Sequence, residues 1–410
     1  MTSETIRERK SVRTYQEKAI DGESMSQIRN FLTEVGNPFG VPIRFNILDA
    51  KRDKVSSPVI LGADTYVAGS YKRQENAELA FGYSFEKFVL YASELGLGTV
   101  WLAATIDRKA FEKAVKLQPD EVMPAVSPLG YAAEKRSVRE SLMRRGMKSD
   151  ARNSFESLFY QGDFEHPLRR EEAGKWEKPL EMVRLAPSAT NKQPWRAVVD
   201  ADAVHFYEVK TRGYANEATG DVQKVDLGIA LCHFEIAANE DGITGRFVQK
   251  DPQLVTAENT EYIASYMDTK FSSAIHTLIL ISEADREMNS EQLAASVGTN
   301  PSYIRKLTAK LSKAGIIESR RGISGMHLAK AAKDITLFEI YSAVTDTPSL
   351  HLFDLHQNPN DACIVGHNIR PVLGGMFRDM EAGVERELRN MTLADCIGNM
   401  RNYIEISARN

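Results

Sequence analysis

Residues 289–333 read NSEQLAASVGTNPSYIRKLTAKLSKAGIIESRRGISGMHLAKAAK, and the punctuation of this stretch decides the fold of the C-terminal part of the chain. Asn289 or Ser290 can cap a first helix, and Gln292 stands three residues beyond Asn289, the spacing of a capping box. Gly298 breaks that helix. Asn300 then caps a second, and Pro301 takes its first position, where a missing N–H costs nothing. Leu307, Leu311 and Ala314 recur at three-to-four spacing on one face, and Gly315 ends the helix. Between residues 300 and 333, Arg305, Lys306, Lys310, Lys313, Arg320, Arg321, Lys330 and Lys333 stand against Glu318 alone, in a chain whose net charge is −4. The basicity is therefore local. A short helix, a turn and a basic helix whose first polar residues, from Ser302 on, face outward suit the major groove of double-stranded DNA. The tip Arg320-Arg321-Gly322-Ile323-Ser324-Gly325 suits a wing lying along phosphates. A solvated basic hairpin is the bland alternative, and the agreement of caps, breakers and charge argues against it.

Outward from this stretch, 410 residues suffice for two or three domains, each with its own core. The first ten residues are polar and charged, so no secretory signal is expected, and no apolar run approaches the length of a membrane span. Cys232, Cys363 and Cys396 lie far apart and make neither a zinc pair nor a disulfide framework. A cytoplasmic protein with no membrane partner is expected.

The N-terminal arm, Arg9-Lys10-Ser11-Val12-Arg13-Thr14-Tyr15, gathers three cations and two aliphatic hydroxyls suited to a phosphate, with a plain basic arm equally open at this point. Phe81, Phe85, Phe88, Ala92 and Leu95 make a helical apolar stripe ending at Gly96; residues 99–102 and 122–131 follow as buried strands. Lys135, Arg136, Arg139, Arg144 and Arg145 form a further basic run, and residues 152–181 read as a polar crossing segment. Residues 226–242 then repeat the earlier helix: Gly82 aligns with Gly228, Phe88 with Phe234, Ala92 with Ala238, Glu94 with Glu240 and Gly96 with Gly242. The repeat implies one chain folded as a pseudo-dimer, its two equivalent helices packed near a local two-fold axis. Just before the second copy, a helix ends at Ala186-Pro187 and a strand begins after Pro194. Between them Ser188, Asn191 and Gln193 offer hydroxyl and amide groups, and both amides can donate and accept toward the edge of an isoalloxazine ring.

The run Ala186-Pro187-Ser188, then Asn191, then Gln193-Pro194-Trp195 resembles the flavin-binding loop of the nitroreductase family. Arg9, Lys10, Ser11 and Arg13 match that family's phosphate motif, while 96–99 and 129–131 match its Gly-Leu-Gly-Thr and Leu-Gly-Tyr segments. The loop stands far downstream of the arm, in the second repeat, which resembles the single-chain branch of the family and implies one complete flavin site per chain. The resemblance implies an α+β nitroreductase-like domain of two repeated halves over residues 1–262. Its FMN would be held at the phosphate by Arg9, Lys10, Ser11 and Arg13, with added charge from Lys135 or Arg136, and at the ring by Pro187, Ser188, Asn191 and Gln193. NAD(P)H would be its reductant.

Residues 262–268 read as a joint, and Phe271, Ala274, Ile275, Leu278 and Ile279 make an amphipathic helix leading into the quoted stretch. From 269 to 391 the chain resembles the Rrf-type winged helix-turn-helix regulators. That implies a DNA-binding domain over 267–410, with Tyr303, Arg305 and Lys306 on base edges and Ser302, Lys310, Arg320 and Arg321 beside them or on the backbone. Ile369, Leu373, Met376, Met380, Val384 and Leu388 form the seam of a long dimerisation helix, so a homodimer on a palindromic operator is expected. Cluster-binding members of that family carry three close cysteines before this helix. Here Cys363 stands alone, so a cluster would need His356, His367 or Asp361 as substitute ligands; a thiol switch is favoured over that, a buried anchor is the bland alternative, and no metal site is expected. His351, His356 and His367 follow no helix or hairpin metal pattern. The expected function is a DNA-binding transcriptional regulator fused to an FMN-binding domain that senses redox state or a small-molecule effector. The alternative is an active FMN-dependent NAD(P)H oxidoreductase, reducing nitro or quinone acceptors, that regulates its own gene.

Overall fold

A computed structural model describes residues 1–133, 151–200, 203–284, 288–299, 301–318, 326–345, 347, 349–350 and 363–407. The chain divides into two compact units, the first Met1–Asp241 with Arg246–Met267 and the second Gly242–Gly245 with Asp268–Asn410.

The first unit opens with α1 (Ser3–Glu8) and α2 (Gly22–Glu34). An antiparallel sheet follows in which β2 (Thr65–Lys72) pairs with β1 (Arg44–Asp49), β3 (Glu121–Val122) and β4 (Val126–Leu129). Helix α3 (Ala77–Glu94) lays Phe81, Phe85 and Phe88 into the core shared with Val67 and Tyr71 of β2, and α4 (Arg108–Ala114) follows it. The second half holds α5 (Phe155–Leu158), β5 (Phe159–Gln161) and α6 (Glu177–Leu185). It continues through β6 (Trp195–Asp200), β7 (Ala203–Val209), the short pair β8 (Ala215–Asn216) and β9 (Gly220–Asp221), and α7 (Val222–Asp241). Strands β10 (Gly245–Val248) and β11 (Thr260–Asp268) complete a sheet of order β10-β11-β7-β6-β5, in which β5 and β6 run parallel while β6–β7 and β7–β11 are antiparallel. Phe234 of α7 packs against Phe206 of β7 and Tyr266 of β11, as Phe88 packs on the first half's core.

The repeat read from the sequence is visible where the two long helices meet. A Cβ on Gly82 would lie 3.1 Å from Gly228 Cα, and one on Gly228 would lie 3.0 Å from Gly82 Cα, so the equivalent glycines face each other at the crossing. Gly96 and Gly242, also equivalent, both take positive φ (73° and 79°), the conformation glycine adopts without a Cβ clash. Glu94 and Glu240 each receive the N-terminal helix: Thr5 Oγ1 donates to Glu94 at 3.0 Å and the Ser3 N–H to Glu240 at 3.0 Å.

Three sequence expectations change. Residues 152–181 are not a loose crossing: Phe155, Leu158 and Phe159 are buried, and β5 pairs with β6. The span was read as polar because its apolar residues are scattered among charges without a helical period. Residues 122–131 are two strands rather than one, because Met123, Pro124 and Ala125 interrupt the ladder. Beside them 98–102 is tied by single bridges, Gly98 to Gly130 and Leu102 to Val126. Residues 262–268, expected as a joint, form most of β11, paired with β7 up to Met267 apart from a bulge after Tyr262, and the boundary between the two units falls within them, after Met267.

The second unit begins with α8 (Lys270–Glu283) and continues through α9 (Ser290–Val297) and α10 (Pro301–Lys313). Strands β12 (Ile317–Glu318) and β13 (His327–Leu328) form the base of the wing, followed by α11 (Leu337–Thr345), α12 (Ile364–Asn390) and α13 (Leu393–Ser407). Ala274, Leu278, Leu293, Leu307, Leu311, Ile340 and Ile397 close one core. The Asn289 capping box forms in both directions, Gln292 N–H to Asn289 Oδ1 at 2.9 Å and Asn289 N–H to Gln292 Oε1 at 3.0 Å. Gly298 and Gly315 end their helices at φ of 75° and 71°. Asn300 lies outside the described residues.

Candidate flavin-binding site and nucleic-acid interface

In the first unit the N-terminal arm is tied down by its backbone. The Val12 N–H donates to Thr99 O at 2.9 Å, the Leu61 N–H to Arg13 O at 2.9 Å and the Tyr15 N–H to Leu61 O at 2.8 Å. Alternate residues of extended chain share a side, so Ser11 and Arg13 face together while Val12 turns onto Gly98, where an added Cβ would lie 2.7 Å from its Cγ2. Lys10 is exposed. The Arg9 guanidinium is largely buried, its Nε 3.8 Å from Glu86 Oε1, and its Nε and Nη1 have no hydrogen-bond partner in the protein. A buried guanidinium with two nitrogens left without hydrogen bonds is what the site for an anionic group offers.

The loop after α6 is strained. Thr190, Asn191 and Gln193 all take positive φ (48°, 57° and 51°) without being glycine. Several bonds hold them there. The Gln193 N–H donates to Ser188 Oγ at 2.9 Å, and Ala189 N–H donates to both Asp226 oxygens at 3.1 and 3.0 Å. Asn191 Nδ2 donates to Ala151 O at 2.9 Å, and the Asn153 N–H to Gln193 Oε1 at 2.9 Å. Thr190 Oγ1 meets the Tyr214 hydroxyl. The amides of Asn191 and Gln193 therefore fasten the loop to residues 151–153, and Gln193 is only 3% exposed. Pro187 and Ser188 are half-buried beside them. Lys135 and Arg136 lie outside the described residues.

Sequence reading did not single out Asp226, Glu86, His233 or Glu208. Asp226 is buried, which pushes its carboxyl well above the usual range while the Ala189 N–H opposes the shift. Each of the four is a polar residue set within an apolar segment, and that interruption was the available signal. Glu208 stands across from Trp195 in the β6–β7 ladder, fully buried, with neither oxygen hydrogen-bonded within the protein. Burial, reinforced by Asp221 and Glu261 and opposed by Lys224 and Lys210, pushes it from 4.5 up to about 7. A carboxyl raised in the folded state gives stability that is intact below its unfolded value and lost as pH rises through the folded one. Glu208 therefore costs about 3 kcal/mol at pH 8 relative to pH 4. Glu208→Gln is expected to raise the melting temperature at pH 8 and leave it nearly unchanged at pH 4 in thermal melts; an equal shift at both pH values contradicts this.

In the second unit, Ser302, Arg305 and Lys306 of α10 are exposed, as are Ala309, Ser312 and Lys313 along the same face. Arg305 Nη1 lies 3.2 Å from Glu291 on α9. Tyr303 is a correction: it is 4% exposed and belongs to the core with Ile304, Leu307 and Leu311, so it does not face base edges. Its spacing of four and eight from Leu307 and Leu311 puts it on the apolar face. Lys310 is half-buried, its Nζ donating to Val344 O at 3.1 Å. Arg320 and Arg321 lie outside the described residues.

Cys363 is exposed at the N-cap of α12, and the backbone N–H groups of Gly366 and Val365 hold its thiol below the usual range. Among the described residues no group of three His, Cys, Asp or Glu side chains is placed to hold a metal, and His351, His356 and Asp361 lie outside them. No described helix is long and apolar enough to cross a membrane.

Two half-domains joined through paired long helices, followed by a winged helix-turn-helix unit, define a nitroreductase-type fold fused to a regulator-type fold. The chain belongs to the "Putative TM nitroreductase" family, whose model matches residues 1–238, and through its second unit to the Rrf2 family, "Iron-dependent Transcriptional regulator", matched over 267–399. It is 38% identical over 134 residues to the "Putative HTH-type transcriptional regulator YwnA" of Bacillus subtilis, covering 33% of this chain and 98% of that protein. It is 33% identical over 88 residues to the "Putative HTH-type transcriptional regulator YwgB" of the same organism, covering 21% of this chain and 56% of that protein. A solved "putative nitroreductase" from Thermotoga maritima is 21% identical, with a TM-score of 0.44, covering 65% of this chain and 94% of that one.

Proposed function

We propose that this chain is a transcriptional regulator that binds double-stranded DNA as a homodimer through its second unit. Its first unit holds FMN and senses redox state or a small-molecule effector. The observation that carries the reading is the joining, in one chain, of a nitroreductase-family region to an Rrf2-family region whose α10 keeps its basic face exposed.

Arg305, Lys306 and Ser302 meet base edges, and Arg320 and Arg321 follow the phosphates. The homodimer forms along α12, where Met376, Met380 and Val384 are 49%, 48% and 40% exposed in the single chain. A second copy's α12 covers that stripe and presents two α10 helices to the half-sites of a palindrome. Cys363, at the start of the same helix, is a candidate redox-responsive thiol.

In the first unit, Arg9, Ser11 and Arg13 hold the FMN phosphate, with Lys10, Lys135 and Arg136 adding positive charge. Pro187, Ser188 and the loop shaped by Asn191 and Gln193 receive the ring. The unpartnered Arg9 nitrogens support this placement at the phosphate end. At the ring end Asn191 and Gln193 support it through the loop's conformation, because their amides are already bonded to residues 151–153. Bound there, FMN supplies two-electron chemistry with NAD(P)H as reductant. A change of flavin state shifts the balance between two DNA-binding arrangements by its different affinity for each.

Asn191→Leu removes the bond to Ala151 and cannot supply another, so flavin retention is expected to fall by about tenfold or more. Flavin-to-protein absorbance of the purified variant checks this, and unchanged occupancy sinks the placement of the ring.

A further inference from the structure

Glu86 of α3 and His233 of α7 are 0% and 1% exposed and meet at 2.9 Å, His233 Nε2 to Glu86 Oε1. The Trp101 indole N–H donates to the other carboxyl oxygen at 2.8 Å, and His233 Nδ1 lies 3.1 Å from the Met182 carbonyl oxygen. A carbonyl cannot donate, so Nδ1 carries a hydrogen. The Nε2–Oε1 contact needs a second hydrogen, on either atom. Wherever that proton sits, the Glu86–His233 pair is neutral as a whole: imidazolium with carboxylate, or imidazole with carboxylic acid. Arg9, whose Nε is 3.8 Å from the same Oε1, then keeps its full positive charge in a largely buried position. Burying an unneutralised guanidinium is costly unless an anion comes to it.

We infer that His233 is a positioning residue for the phosphate site: by neutralising Glu86 it leaves the charge of Arg9 available to a phosphate monoester. This rests on the flavin reading above, and the phosphate is that of FMN. Without His233, Glu86 stands as a lone carboxylate beside Arg9 and cancels the charge the phosphate needs. Without both, an uncharged amide at position 86 leaves Arg9 cationic again.

The test compares FMN with riboflavin, which lacks the phosphate, by fluorescence titration of the full-length apoprotein. The ratio of the two affinities isolates the phosphate contribution, which a general loss of structure would not change selectively. His233→Gln is expected to cut the ratio about tenfold or more with riboflavin affinity retained. Glu86→Gln, nearly isosteric, should leave the ratio close to wild type, and Glu86→Gln with His233→Gln should restore most of it. Equal losses for both flavins in His233→Gln, a Glu86→Gln ratio that collapses, or a double variant no better than His233→Gln overturns the inference. A wild-type protein that binds FMN and riboflavin equally overturns it while the flavin reading stands. A wild-type protein that binds neither removes the flavin reading, and this inference with it.

Discussion

Arg305→Ala is expected to lower affinity for specific DNA by about tenfold to a hundredfold, the worth of one well-placed base contact, with flavin content unchanged. Arg305 is exposed on α10, where it pairs with Glu291, itself exposed. An exposed pair of this kind contributes about 0–1 kcal/mol to folding, so its removal leaves the unit intact. The loss therefore appears in binding and not in stability. Arg320→Ala is the informative companion: losing a cation that follows the phosphates weakens binding to all DNA sequences alike and reduces the steepness of the salt dependence. Fluorescence anisotropy at several salt concentrations separates the two. Loss of flavin with intact DNA binding in Arg305→Ala would contradict the assignment of α10.

Gly82→Ala unfolds or severely destabilises the first unit. A Cβ at position 82 collides with the Val225 carbonyl and lies 2.9 Å from that carbonyl's carbon, and one at 228 lies 2.8 Å from the Tyr83 nitrogen. Both obstacles are backbone atoms of the facing helix, so no side-chain rotation relieves the clash. Separating two helices packed this closely costs about 3 kcal/mol or more. Either single alanine is expected to lower the melting temperature of the first-unit transition sharply, and Gly96→Ala, at a position with open space, costs only the strain of its positive φ. Calorimetry on the full chain checks the order; a Gly82→Ala protein as stable as wild type contradicts the paired-helix account.

The features legible in the sequence were those fixed by local chemistry. Asn289 with Gln292, Gly298, Pro301 and Gly315 mark helix ends by hydrogen bonding and backbone freedom, and each stands at such an end. The Gly82–Gly228 repeat was legible because close helix packing demands the smallest residue at the same place in both halves. Tertiary placement was harder to read. Tyr303 sits beside Arg305 in a basic segment, and its polar tip disguised its place on the apolar face. Asn191 and Gln193 were read as groups open to a ligand, whereas their partners, Ala151 and Asn153, come from a segment about forty residues away that carries no motif. β5 escaped notice because three residues are too few to show a period of two. Glu86 and His233 are ordinary residues until two helices bring them together.

The most direct measurement is the affinity of the FMN-loaded full chain for a duplex selected from a random DNA pool, read by anisotropy with the flavin oxidised and again after anaerobic reduction. The expected result is a flavin spectrum that bleaches on reduction, with a change of at least severalfold in DNA affinity between the two states. Identical affinities in both states, or a protein that takes up no flavin while still binding DNA, contradict a regulator governed by its flavin.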